Sequence, residues 1–396
     1  MSKMFADRAA DLSGSAIRAT FKLLADPSII SFAGGAPSPD LFPKNELEEI
    51  AARIFREKGN LALQYGITEG YAPLIDFVKA RLVKQGIIKE SDGVIITTGG
   101  QQVIDLTARA LVNEGDVVAV ERPSFVGGLN CFRSYNAKMI DIPVENDGLS
   151  TDALEELLKT TKIKLIYTIP TFQNPSGITM SLEKRQKLLS LAEEHDFYIL
   201  EDNPYGELRY CGEEVPTIKS LDEKGRVIYA GSFSKILSPG LRIGFTSAPT
   251  EILEKLVVIK QVVDVHTPVL NQLVAHEFVT NYDLDAHIQK ARELYGHKCA
   301  VMLGEMDKCF PDYCSYTRPE GGIFLWCTLP EEFDSKILFN KGVENKVAFV
   351  PGDSCMVDMD RKYSSFRLNF SNTADDKIVS GIRTLAEVIK SEKDGQ

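Results

Sequence analysis

The chain has little of what builds metal sites, staples or membrane anchors. Its seven cysteines stand at 131, 211, 299, 309, 314, 327 and 355, and no two form a C-x-x-C pair. An odd, scattered set points to reduced thiols rather than a disulfide framework. The five histidines fall in no zinc-ligand spacing, so no metal is expected. No stretch offers the roughly 18 uncharged apolar residues that a membrane-crossing helix needs. The opening Met1 to Arg8 also lacks the apolar core of a secretory signal. Positive charge is in deficit: 45 Lys and Arg against 56 Asp and Glu leave a net charge of −11. That balance argues against general binding to nucleic acid or anionic membranes, yet a few placed cations suffice for one local anion. The expectation is a cytoplasmic, metal-free protein.

At 396 residues, 44% hydrophobic and 26% charged, the chain is long enough for two or three structural units with a sizeable core. A helical stretch from Gly14 to Ala25 leads into Ile29-Ile-Ser-Phe-Ala-Gly-Gly-Ala-Pro-Ser-Pro, whose glycines and prolines forbid regular structure. Asn45 to Lys58 and Tyr71 to Gln85 carry helical spacing. Short β-branched runs then alternate with amphipathic stretches: Val94 to Thr98, Val117 to Val120, Lys138 to Ile142, Lys164 to Thr168, Phe197 to Leu200, Val227 to Ala230 and Ile243 to Thr246. Near-continuous apolar strands separated by helices predict an α/β fold with a mostly parallel sheet covered on both faces. Glu251 to about Lys308 reads as long and helical, suited to connecting two lobes. Runs at Gly322 to Cys327, Val347 to Gly352 and Ser365 to Phe370, with a final helix from Asp375 to Lys390, predict a smaller α+β lobe. The expected division is an arm (1–44), a large domain (45–285) and a small domain (286–396).

Chemistry-bearing residues recur at the ends of these strands, where α/β sheets place phosphate and cofactor sites. In Ser232-Phe-Ser-Lys-Ile-Leu-Ser-Pro-Gly-Leu-Arg-Ile-Gly, Lys235 lies between hydroxyls and seven residues before Arg242. A lysine at a buried strand mouth, beside a fixed cation and phosphate-compatible hydroxyls, suits a Schiff-base lysine holding pyridoxal phosphate, because burial near cations helps it shed its proton. Thr97-Thr-Gly-Gly-Gln-Gln sets a glycine turn before a helix N-terminus, a ready anion site. Asn174 precedes Pro175 and is held extended, so its amide can point into a cleft. Asp202 ends an apolar strand and needs a partner to justify its desolvation; a protonated pyridine nitrogen would serve, with Tyr205 donating to the ring oxygen. Arg367 lies within an apolar strand, where its planar fork matches a carboxylate. Taken singly, these segments also read as a surface loop, a bare glycine turn, a turn-forming asparagine, a capping aspartate and a structural salt bridge.

Together, the spacings resemble the class I/II aminotransferases, the fold-type-I pyridoxal phosphate enzymes, over nearly the whole chain. The segments Ser31-Phe-Ala-Gly-Gly-Ala-Pro-Ser-Pro-Asp-Leu-Phe-Pro and Gln64-Tyr-Gly-Ile-Thr-Glu-Gly resemble the branch of 2-aminoadipate, kynurenine and multisubstrate aromatic aminotransferases. The resemblance implies that Lys235 forms the Schiff base and then moves the Cα proton. Asp202 would pair with the pyridinium nitrogen, making the ring an electron sink. Asn174 and Tyr205 would bond the ring oxygen, and Phe125 would stack on the ring. Gly100, Gln101, Ser232, Ser234 and Arg242 would surround the phosphate. Arg367 would clamp the substrate α-carboxylate, with Asn174 and Gly35 beside it. Tyr65 would reach the neighbouring subunit's phosphate, which requires a homodimer with sites at the interface. Two residues depart from the branch: Phe125 stands where many relatives have tyrosine, and Gly100 where the branch often has serine.

The implied activity is amino-group transfer from an amino acid to a 2-oxo acid, 2-oxoglutarate foremost, by a ping-pong route. Two alternatives stand beside it. One is other chemistry on the same cofactor, such as a C–S β-lyase, detectable as pyruvate release without an acceptor. The other is a non-catalytic regulator domain, which would follow a winged helix, whereas here the arm begins almost at Met1. Arg18 in the arm would meet a distal substrate carboxylate or lie in solvent, and Ile17, Phe21 and Leu23 would offer an apolar pocket instead.

Overall fold

Residues 26–394 are described in the computed structural model. The chain enters through β1 (Ile30–Ser31), which pairs in parallel with β12 (Val347–Ala348). The segment expected to lack regular structure therefore contributes two paired residues, because Ile30 and Ser31 precede its glycines and prolines. A helix α1 (Lys44–Leu63) and a second, α2 (Ala72–Lys84), follow where helical spacing places them.

Each mid-chain apolar run forms a strand: β2 (Ile95–Thr97), β3 (Val117–Arg122), β4 (Lys138–Glu145), β6 (Leu165–Thr168), β7 (Tyr198–Asp202), β8 (Val227–Ser232) and β9 (Gly244–Ser247). With β5 (Gly148–Leu149) they build one sheet in the order β2-β9-β8-β7-β6-β3-β4-β5. Its centre is parallel, while β9 runs antiparallel to both β2 and β8. The reversal at β9 follows from its connection: Phe233 to Ile243 holds no crossover helix, and a parallel return would need one. That short link is the lysine segment.

Alternate strand residues enter opposite cores. Val118, Val120, Leu165, Tyr167, Leu200 and Ile228 pack on one face, and Ala119, Ile166, Ile199 and Val227 on the other. This period-two division is what a sheet covered on both sides demands. The helices α3 (Gly100–Leu111), α4 (Val126–Ser134), α5 (Thr151–Leu158), α6 (Leu182–Glu194) and α7 (Ile218–Leu221) lie between the strands in the chain.

The long helical stretch divides into α8 (Thr250–Val263), α9 (Val269–Asn281) and α10 (Leu284–Cys309). Pro268 interrupts it, and the Asp283 side chain caps α10 by accepting from the Ala286 N–H at 2.9 Å. A second sheet, in the order β10-β11-β14-β13, is antiparallel. Its strands are β10 (Ser315–Tyr316), β11 (Phe324–Thr328), β13 (Val350–Pro351) and β14 (Ser365–Asn369). Helix α11 (Ser335–Glu344) and the final α12 (Asp375–Asp394) belong to the same lobe. Among the described residues no helix is long and apolar enough to cross a membrane.

Candidate active site

Strands β3, β6, β7 and β8 end on one edge of the large sheet, and β11 and β14 of the small sheet face it. Between them lies a cavity of ≈ 550 Å³. Its lining includes Gly35, Gly100, Gln101, Phe125, Asn174, Asp202, Tyr205, Ser232, Ser234, Lys235, Arg242 and Arg367, together with Phe324. Residues separated by more than 300 positions in sequence thus share one wall. Tyr65 stands apart: it is 80% exposed and its ring meets His266 edge-on at 5.8 Å. Arg18 lies outside the described residues.

Lys235 Nζ donates to the Gly35 carbonyl at 2.6 Å. Burial, with the Arg367 and Arg242 guanidinium groups adding like charge, lowers its pKa to about 8. At pH 7 about a tenth is therefore the nucleophilic free amine, far more than for an unshifted lysine. Asp202 is buried at the end of β7, and its Oδ2 accepts from the Tyr167 hydroxyl at 2.8 Å. Burial raises its pKa to about 6, and the Tyr167 bond opposes that rise. Asp202 faces the cavity with no cation against it among its described hydrogen bonds, so a cationic ring nitrogen fits there. Burial holds the Tyr205 phenol well above its ordinary pKa, which keeps it a proton donor.

At the other end of the cavity, three glycine-enabled contacts shape an anion cradle. Gly99, with φ of 79°, lets the Arg242 guanidinium lie where a Cβ would sit. A Cβ on Gly244 would fall 2.5 Å from the Gly99 carbonyl carbon and 2.8 Å from the Gly100 nitrogen. These contacts press the start of α3, with its free N–H groups, against β9. Arg242 itself adopts a left-handed φ of 53°, a conformation that costs energy outside glycine, and donates to the Thr98 carbonyl at 3.3 Å. Ser232 Oγ donates to Ser234 Oγ at 2.9 Å. Helix N–H groups, two hydroxyls and an arginine form a donor set matched to a phosphate.

Arg367 is buried, and Phe324 lies under it with the guanidinium carbon 4.2 Å from the ring centroid. Its Nη1 donates to Asn174 Oδ1 at 2.9 Å and its Nη2 to the Ala33 carbonyl at 2.9 Å. Its Nε is buried without a partner. Arg367 lines the cavity, and its planar guanidinium is a place for a carboxylate.

Three residues at this site were not anticipated from sequence. Tyr167 and Phe324 sit in apolar strands and read there as core aromatics. Glu121, next to last in β3, follows Val-Val-Ala-Val, an apolar run leading into a carboxylate like the one that singles out Asp202. That shared pattern is the signal that would have found it.

A family model described as aminotransferase class I and II matches residues 30–385. Aromatic-amino-acid aminotransferase 1 of Thermococcus litoralis is 42% identical, over 98% of this chain and 95% of its own length. The crystal structure of Pyrococcus horikoshii kynurenine aminotransferase, in complex with PMP, superposes with a TM-score of 0.95 at 41% identity, covering 98% of each chain. The α-aminoadipate aminotransferase of Thermus thermophilus, complexed with N-(5′-phosphopyridoxyl)-L-leucine, gives 0.92 at 39% identity, covering 99% of this chain and 98% of that one. Joined to a cavity that offers a buried lysine, a buried carboxylate and a cluster of hydroxyl and guanidinium donors, these likenesses show that the chain belongs to the class I and II aminotransferases, enzymes that work with pyridoxal phosphate.

Proposed function

We propose that the enzyme transfers amino groups from aromatic amino acids, with 2-aminoadipate-like donors as a broader range, to 2-oxoglutarate. The observation that carries this reading is Arg367 stacked on Phe324 in a cavity whose lining also holds the apolar side chains of Ile104 and Phe125. A carboxylate held at Arg367 sets the rest of a substrate beside the Phe324 ring. Among the described residues that line the cavity, the cations are Lys235, Arg242 and Arg367. A distal acidic group would therefore rely on Arg18. The named activities of the relatives, aromatic, kynurenine and α-aminoadipate transamination, support the same range.

Bound in this cavity, pyridoxal phosphate would supply the electron sink that makes the substrate Cα proton labile. Gly100 N–H, Gln101, Ser232, Ser234 and Arg242 would hold its phosphate, and Asp202 its ring nitrogen. Asn174 and Tyr205 would donate to the ring oxygen, and Phe125 would cover one face. Lys235 Nζ would move the proton between substrate Cα and the cofactor. Gly35 and Asn174 would flank the carboxylate held by Arg367. The exposure of Tyr65 supports a reach toward a second subunit, hence a homodimer. We place the enzyme in the cytoplasm and divide it into an arm (1–44), a large domain (45–285) and a small domain (286–396).

The test is the visible spectrum of the protein with pyridoxal phosphate. The yellow band should bleach on addition of phenylalanine or glutamate and return with 2-oxoglutarate. A band indifferent to aromatic donors but bleached by 2-aminoadipate would overturn the aromatic assignment. Pyruvate release from a sulfur amino acid without an acceptor, with no reversible bleaching, would replace transfer by β-elimination.

A further inference from the structure

Glu121 is a fully enclosed carboxylate that the site described above does not use. It lies at the end of β3 with 2% exposure. Its Oε1 accepts from the Thr168 hydroxyl at 2.6 Å. Its Oε2 accepts from the Ile169 N–H at 3.1 Å and from Gln173 Nε2 at 3.0 Å. All three donors are neutral. A carboxylate without a counter-cation is a costly choice for a merely filled position. Burial pushes its pKa up to about 7, and the three donors pull against that rise. What the carboxylate offers in return is acceptor capacity on both oxygens at once.

The important donor is Gln173. Its Nε2 also donates to the Pro123 carbonyl at 2.7 Å, two residues before Phe125. Its Oε1 accepts from the Ser176 N–H at 2.7 Å, and its own N–H bonds the Ile178 carbonyl at 2.9 Å. The side chain of Gln173 therefore ties the loop after β6 to the loop after β3. The next residue is Asn174, whose Oδ1 holds Arg367 Nη1. A continuous run of contacts leads from Glu121 through Gln173 to the asparagine that orients the arginine.

We propose that Glu121 is a positioning residue for the carboxylate-binding end of the active site, acting through Gln173 to set the Asn174 amide and with it the Arg367 guanidinium. The inference rests on the reading of Arg367 as the α-carboxylate ligand. It differs from a general stabilising role in what it affects. The phosphate cradle is built on β2, β8 and β9 and shares none of these hydrogen bonds, so cofactor affinity should fall less than carboxylate affinity, by only the share that Asn174 and Phe125 contribute at the ring.

The experiment measures, by calorimetric titration of the holoenzyme, the affinity for 3-phenylpropanoate, a carboxylate that has no amino group to react. Affinity for pyridoxal phosphate and Tm are recorded in parallel. Glu121→Ala and Gln173→Ala should each weaken 3-phenylpropanoate by about tenfold, with pyridoxal phosphate affinity falling by about threefold at most. The double variant should be little worse than either alone, because both act through one path. Glu121→Gln can keep its oxygen toward Gln173 and Ile169 and turn its amide to the Thr168 hydroxyl, so it should recover most of the loss. If Glu121→Ala proves too unstable to purify, Gln173→Ala and Glu121→Gln carry the test alone. The proposal is overturned if Glu121→Ala or Gln173→Ala binds 3-phenylpropanoate like the parent, or if both affinities fall by the same factor. A parent enzyme that does not bind 3-phenylpropanoate, or binds it equally well after Arg367→Ala, removes the α-carboxylate reading itself.

Discussion

Inside the cavity a protonated Lys235 faces both desolvation and two guanidinium groups, and the consequences are measurable before any catalysis is assayed. Its folded pKa of about 8 lies below the ordinary 10.5. Between those values the unfolded chain binds a proton that the folded apoprotein does not. Stability from this group therefore rises with pH through that window, and its penalty is full below about 8. Apoprotein Tm should climb more steeply between pH 8 and 10 than that of Lys235→Met. Capture of pyridoxal phosphate should accelerate with a midpoint near pH 8, followed by growth of the yellow band; a midpoint near that of free lysine would contradict the electrostatics. Asp202 shifts the other way. Its carboxyl, raised to about 6, loses its charge as pH falls through that value, and with it the attraction for a protonated ring nitrogen. Tyr167→Phe removes the donor that opposes the rise. It should weaken pyridoxal phosphate by about tenfold and move the acid limit of binding to higher pH. Equal dissociation constants across the pH range would show that Tyr167 does not set Asp202.

Elements contribute through how closely their backbones approach. Where α3 meets β9, Gly244 touches main chain, not a movable side chain. Gly244→Ala should displace the start of α3, costing several-fold or more in cofactor affinity and about 2 kcal/mol or more in stability by denaturant titration. Gly304, inside α10, has nothing within 4 Å of an added Cβ, so Gly304→Ala should stabilise by roughly 0.5–1 kcal/mol. The same contrast explains what could be read from the chain alone. The strands were legible because their β-branched runs must be buried on both faces, and Lys235, Asp202 and Arg367 because charge at such positions demands a partner. The antiparallel turn of β9 was not legible as such, since a run of apolar residues carries no direction. Tyr167 hides among core aromatics, because only the fold brings its hydroxyl to Asp202. Glu121 shares the apolar run and carboxylate of Asp202, but only the fold shows Thr168, Ile169 and Gln173 enclosing it.

At the scale of the whole molecule, apolar side chains gather on the outside in two segments. Leu63 is 76% exposed and Ile67 61%, at and just beyond the end of α1, while Val262 is 79% exposed at the end of α8. The segments are neighbours: the Tyr65 ring meets His266, and Gly66 leaves room for Val269. Large apolar residues exposed together are what a protein interface leaves on one isolated partner. If the second subunit covers them, Leu63→Glu with Val262→Glu should convert a dimer to a monomer in sedimentation at micromolar concentration. Two charges in a symmetric contact are met again by their copies, so the substitution acts four times per dimer. Secondary structure and Tm of the monomer should survive better than activity, because neither residue belongs to the buried core. Tyr65→Phe separates the two contributions of this face. It removes one hydroxyl, so association should be unchanged, whereas pyridoxal phosphate affinity should fall several-fold if that hydroxyl reaches the partner's phosphate cradle. A monomer of full activity, or a Tyr65→Phe enzyme with unaltered cofactor affinity, would confine each active site to its own chain.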